Sequence, residues 1–142
     1  MPEESTTHDL VELVRRYVRA ASVRDYDAAM RFWAPDGVFD LSGTALGTYE
    51  GHAAIRAFFE EWTGAYDDVQ FEFEEVHDLG NGVAFAVIRS HGRPVGSSGL
   101  VQMRLASVSV WTEGLVVWER HYTETDFDEA RAAAGRLAQE RG

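Results

Sequence analysis

The residues best equipped for chemistry are Glu119 and His121, in the segment LVVWERHYT. Read as a strand, this segment puts side chains two apart on one face, so the carboxylate and the imidazole can be neighbours. A carboxylate so placed orients the ring and raises its basicity, which suits general acid–base work near neutral pH. Leu115, Val117 and Thr123 share that face, while Val116, Trp118, Arg120 and Tyr122 take the other. Alternation alone leaves open which face is inward. Arg89 and His91 continue the face of Phe85 and Val87. Turned inward, they would set a cation and an imidazole at a pocket mouth, suited to an anionic or carbonyl group. Arg89 can equally pair with Glu72 or Glu74 across strands.

Several other chemistries find no support. The five histidines show neither H-x-x-x-H nor H-E-x-x-H spacing, so no metal site is expected; His52, beside Tyr49, reads as a surface residue. The chain has no cysteine, hence no thiolate nucleophile or disulfide. The stretch GRPVGSSG, from Gly92 to Gly99, lacks the Lys-Ser/Thr and following helix of a phosphate loop. There is no G-x-S-x-G elbow, and no cofactor is expected.

Helices and strands must position these groups. Leu10, Leu13, Val14, Tyr17, Val18 and Ala21 fall on one helical face, as do Tyr26, Ala29, Met30 and Trp33, and then Ile55, Phe58, Phe59, Trp62 and Tyr66. Between the second and third stripes, a Pro-Asp-Gly turn leads into a brief strand from Val38 to Leu41. After Asp67 the period becomes two: Val69, Phe71 and Phe73 alternate with Gln70, Glu72 and Glu74. Gly80-Asn81-Gly82 predicts a hairpin turn, and strands follow from Val83 to about His91, Leu100 to Trp111 and Leu115 to Thr123. Gly92–Gly99 reads as a mobile loop. Asp126 and Glu129 have capping-box spacing for a C-terminal helix, whose thin alanine-rich stripe predicts weak packing. The order α-α-β-α-β-β-β-β makes an α+β domain with segregated helices: one domain over 1–142, with its core at about 8–124 and the last helix at about 126–140.

The block RRYVRAASVRDYDAAMRFWAPDGVFDL…YEGHAAIRAFF resembles the N-terminal half of the nuclear transport factor 2-like superfamily, which includes ketosteroid isomerases and SnoaL-like polyketide cyclases. The resemblance covers about Leu10 to Thr123 as an ordered pattern. It implies a cystatin-like cone, a curved antiparallel sheet with helices on its concave face around an apolar pocket, and dimers through the outer sheet face. By the same resemblance Tyr17, in its RYV context, matches the tyrosine that donates to a developing oxyanion; this is a known pattern for the isomerase. The structural alternative is a core tyrosine with a backbone partner. Asp40 lies in the strand that carries the isomerases' proton-shuttling aspartate, but Leu41 stands at that place, and a one-residue offset turns a side chain to the other face. Asp40 as base therefore requires a bulge. Ser107 falls where the isomerases carry their protonated acid, with Ser109 and Trp111 on its face. Glu119, His121 and Thr123 align with pocket-facing positions. The Asp-Arg-Asp set of limonene epoxide hydrolases, also of this fold, is absent: around Arg104 the chain reads Gln-Met-Arg-Leu-Ala.

Composition narrows the partners. A net charge of −11, with 13 basic residues that are all arginine and scattered, disfavours nucleic acid. No apolar run approaches the ~20 residues of a membrane span, and MPEESTTHD is unlike a signal peptide, so a cytoplasmic address is expected. Two readings follow. One is a cofactor-independent isomerase or cyclase acting next to a carbonyl of an apolar molecule, with His121, Glu119, Tyr17 and Asp40 as candidate catalytic groups. Ser107, Ser109, Trp111, Phe58, Trp62, Phe85 and Arg89 are its candidate ligand-binding residues. The other is a non-catalytic binding or dimerisation domain whose cone is filled by Trp33, Trp62, Phe58, Phe59 and Trp111. Ala106, Val108, Val110, Val116, Trp118 and Tyr122 form an apolar outer face that predicts a homodimer.

Overall fold

A computed structural model describes residues 10–44 and 46–142; the MPEESTTHD segment lies outside the described residues. Helix α1 (Leu10–Ser22) buries Leu10, Val14, Tyr17, Ala20 and Ala21, the stripe its spacing predicts. Helix α2 (Tyr26–Arg31) is capped by Asp25, whose side chain accepts from the Ala28 amide at 3.1 Å. Trp33 does not continue that helix. It opens strand β1 (Trp33–Asp40), because Pro35 has no amide hydrogen and disfavours helical geometry at Ala34. The Pro-Asp-Gly stretch is thus an irregularity within β1, between Trp33 and Val38, rather than a turn ahead of it. Gly37 is required there: a Cβ would lie 2.5 Å from the Trp33 ring.

A short strand β2 (Thr48–Glu50), too brief to show a period, pairs with β1 and leads into helix α3 (Gly51–Gly64). Helix α3 buries Ile55, Phe59 and Thr63. Tyr66, expected on the same stripe, instead begins β3 (Tyr66–Asp78), with its ring packed over Gly92. The meander continues through β4 (Val83–Pro94), β5 (Val101–Thr112) and β6 (Leu115–Thr123). Gly80, Asn81 and Gly82 all take positive φ, the conformation that makes this tripeptide a hairpin turn.

The curved six-stranded sheet runs β2-β1-β6-β5-β4-β3. It is mixed rather than wholly antiparallel, because β1 lies parallel to β6. A bulge at Val117 puts Val110 opposite Trp118 and Trp111 opposite Val116. It moves Val116, which strict alternation assigns to the other face, into the fully buried cluster with Trp33 and Trp111 beneath the first helices.

Helix α4 (Phe127–Arg141) covers the opposite face. It follows a 3₁₀ turn (Glu124–Asp126), and Asp126 makes no side-chain capping bond, so the capping box does not form. Its packing is close, contrary to the expectation from its thin stripe. Ala130 and Ala134 are fully buried against a layer that includes Val83, Phe85, Val87, Ala106, Val108, Val110 and Tyr122. Small side chains let the helix approach the sheet, and the Arg131 guanidinium sits 4.6 Å over the Phe85 ring. The apolar outer face that motivated a homodimer is therefore largely covered by the chain's own helix, and Val116 is not part of it. Ala134→Leu should overfill this contact and cost about 1–3 kcal/mol, read as a lower urea midpoint. A variant as stable as the parent would show that α4 is not closely seated.

Candidate active site

Tyr17 reaches the sheet because α1 aligns it with Val14 and Ala21 on the buried face. Its ring packs edge-on against Phe59 and Trp111, with centroids 6.3 and 6.1 Å away. Its hydroxyl accepts a hydrogen bond from Trp33 Nε1 at 3.1 Å and donates to Glu119 Oε1 at 2.9 Å. Ser107 lies opposite His121 in the β5–β6 register, and its Oγ donates to Glu119 Oε2 at 2.8 Å. His121 Nε2 lies 2.8 Å from the same oxygen. The Glu119 side chain is only 5% exposed and that of His121 17%, and the imidazole meets the Phe39 ring edge-on at 4.9 Å.

Protons can be assigned from this geometry. The Tyr17 oxygen accepts from an indole N–H, so its own proton must go to Glu119. Burial, followed by the adjacent Glu119 charge, pushes the Tyr17 phenol's pKa well above its usual value, against a smaller opposing effect of the Trp33 hydrogen bond. The phenol therefore remains a donor. Converging donors from Tyr17, Ser107 and His121 suit an ionised carboxylate. In the neutral ring, Nε2 of His121 then carries the hydrogen and Nδ1 keeps a lone pair with no partner among the described residues.

Tyr17, Glu119 and His121 form the polar patch of a cavity of about 350 Å³ whose walls include Phe39, Leu41, Phe58, Phe59, Trp62, Phe71, Ile88 and Leu105. Phe58 and Trp62 thus lie where a ligand would touch them. Ser107 stands behind the lining, bonded to Glu119. Ser109 and Trp111 are buried and bonded to each other, Nε1 to Oγ at 2.9 Å, and neither lines this cavity.

Besides Ser107, Ser109 and Trp111, which do not line the cavity, three further candidates are corrected. Asp40 faces away, and Leu41 occupies the wall, since no bulge intervenes between them to shift the face. The Asp40 carboxylate accepts from the Ser42 amide at 2.9 Å and hydroxyl at 2.6 Å, with Arg120 3.5 Å away. Burial would raise its pKa, but those bonds, Arg120 and Thr48 together hold it below the usual carboxylate value. It caps a turn. Phe85 is in the layer under α4, on the far side of the sheet. Arg89 is on that side too, paired with Glu74 at 2.9 Å, the alternative its cross-strand position had left open. His91 lies 3.5 Å from Glu72.

Sequence reasoning missed Trp33 as the donor to Tyr17, having placed it on a helix; the Pro two residues later was the available signal. It also missed Phe39, although Phe39 and Leu41 share a face by alternation. His52 is exposed, with its Nε2 2.8 Å from the Trp33 carbonyl oxygen. Among the described residues no group of three His, Asp or Glu side chains is arranged to hold a metal ion. Tyr17→Phe should cost about 1–3 kcal/mol, because it leaves a buried indole N–H and a carboxylate oxygen without their partner. The same variant should leave the tyrosinate absorbance that develops by about pH 11 unchanged; loss of part of that signal would show that Tyr17 ionises normally.

The model of the SnoaL-like domain family matches residues 14–119. No curated protein sequence matches the chain. Among solved structures, a hypothetical protein with a ketosteroid isomerase-like fold from Catenulispora acidiphila DSM 44928, in complex with trimethylamine, is 14% identical at a TM-score of 0.71, over 78% of this chain and 84% of that one. A protein of unknown function with the nuclear transport factor 2-like fold, from Burkholderia pseudomallei K96243, is 17% identical at 0.71, over 87% and 95%. An epoxide hydrolase of the limonene-epoxide-hydrolase-like type from M. tuberculosis is 14% identical at 0.70, over 93% and 95%. At these identities the likeness is one of fold.

Proposed function

Because the chain belongs to the SnoaL-like domain family, we propose that it takes a small apolar molecule into the aromatic-walled cavity and moves a proton on it without a cofactor, in an isomerase- or cyclase-like reaction. The observation that carries this reading is the buried Glu119 carboxylate holding His121 Nε2 at 2.8 Å. That contact leaves Nδ1 as the base. Nδ1 removes a proton from carbon next to a carbonyl, and the Glu119 charge stabilises the imidazolium that forms. The imidazolium returns the proton to a different atom, or the carbanion first attacks a carbonyl within the same molecule. Tyr17 was expected to donate to a developing oxyanion, with Ser107 at the place of the isomerases' protonated acid, but both donate to Glu119. Their part here is to position that carboxylate.

That same observation favours a second reading. With both hydroxyl protons committed to Glu119, the cavity serves a non-catalytic receptor equally well, since no donor is aimed at a developing oxyanion.

Deuterium exchange at the α-carbon of an apolar ketone such as 2-tetralone, followed by NMR in heavy water, separates the two. The proton-transfer reading expects exchange above the buffer rate that falls about a hundredfold or more in His121→Ala, with the circular dichroism of the fold retained. Exchange that persists in the variant removes His121 from the role. A ketone that binds without exchanging supports the receptor.

A further inference from the structure

The hydrogen-bonding groups around the cavity are unequally available. The Tyr17 and Ser107 protons go to Glu119. Thr44 Oγ1 donates to the Leu41 carbonyl at 2.8 Å, and the Arg104 guanidinium is held by Glu74 and Glu124 at 2.7 and 2.6 Å. Thr123 Oγ1 is 3.1 Å from Thr125 Oγ1. Beside Glu119, the neutral His121 ring keeps a lone pair on Nδ1, its Nε2 hydrogen being held by the carboxylate. Tyr66, beside Trp62 on the wall, has a hydroxyl with no partner among the described residues, but at the Glu119–His121 patch a ligand carbonyl would meet no donor and lose its hydration uncompensated.

We infer that the cavity selects a ligand that donates a hydrogen bond, an enol or phenol O–H on an apolar ring, and that His121 Nδ1 receives it. The inference rests on the reading of His121 as the cavity's free base and adds the ligand class. A proton-transfer substrate of this class enters as its enol: Nδ1 takes the O–H proton and the imidazolium delivers it to the α-carbon, the reverse of the exchange step above. The aromatic walls from Phe39, Phe58, Phe59 and Trp62 accommodate the flat ring.

Glu119 sets this polarity, and one substitution reverses it. In Glu119→Gln, the Tyr17 hydroxyl must still donate, because its oxygen accepts from Trp33. The amide oxygen therefore takes the Oε1 place, and the amide nitrogen takes the Oε2 place beside Ser107 and His121. It donates to both, Nε2 becomes the acceptor, and the ring hydrogen moves to Nδ1, facing the ligand.

The test is calorimetric titration of the full chain with 2-naphthol, 2-methoxynaphthalene and 2-acetylnaphthalene. The expected result is roughly tenfold tighter binding of 2-naphthol than of either other compound, the size of one net hydrogen bond. His121→Phe should erase the preference, and Glu119→Gln should turn it toward 2-acetylnaphthalene. Equal binding of the three compounds by the parent, binding of none, or an unchanged preference in a folded Glu119→Gln variant overturns the inference. Binding and exchange are separate readouts. Loss of the preference with His121-dependent exchange intact defeats the ligand class alone, whereas the preference without exchange defeats only the proton-transfer reading.

Discussion

The structure turns on one buried carboxylate. A charge removed from water is costly unless nearby donors replace its hydration, and Glu119 is satisfied by groups from three elements: Tyr17 on α1, Ser107 on β5 and His121 on β6. Those contacts fix the roll of α1 over the sheet and reinforce the β5–β6 register that sets Ser107 opposite His121. Trp33, at the start of β1, closes the set by donating to Tyr17. A hydrogen-bonded chain thus ties α1, β1, β5 and β6 at a single buried point.

Around that point the sheet divides two apolar layers of different character. On one side, aromatic rings from α1, β1 and α3 pack at angles that leave a cavity. On the other, alanines of α4 lie close against valines and Phe85, filling the space. The bulge at Val117 serves the first layer by bringing both Val116 and Glu119 to its side. Long aromatic side chains propped on a curved sheet leave space between them, whereas a helix faced with methyl groups leaves none. Side-chain size thus decides which face can admit a ligand.

The polar patch also separates holding from reacting. Tyr17 and Ser107 have the residue types expected of oxyanion donors, yet each aims its one proton at Glu119. Type and position on a strand do not specify the direction of a hydroxyl. Direction follows from which neighbouring acceptor carries the stronger charge, and here that acceptor is a carboxylate.

The sequence alone determined the helical stripes of α1 and α3, the Gly80–Gly82 turn, the span of β6 and the α+β class, because periodicity and turn stereochemistry are local properties of the chain. It also brought Glu119 and His121 to one strand face, since alternation fixes that neighbourhood whatever surrounds it. Tertiary structure decided the rest. It set the sheet face on which Phe85 and Arg89 lie, turned Asp40 into a cap with Leu41 in the wall, made Trp33 a strand residue, and laid α4 over the outer face. Each of these depends on strand pairing, bulges or packing between segments distant in the chain, and no period within one segment encodes them. The orientation of the Tyr17 proton is the most distant of these consequences: it required Trp33 and Glu119 to meet at one hydroxyl, 102 residues of chain separating Tyr17 from the carboxylate it serves.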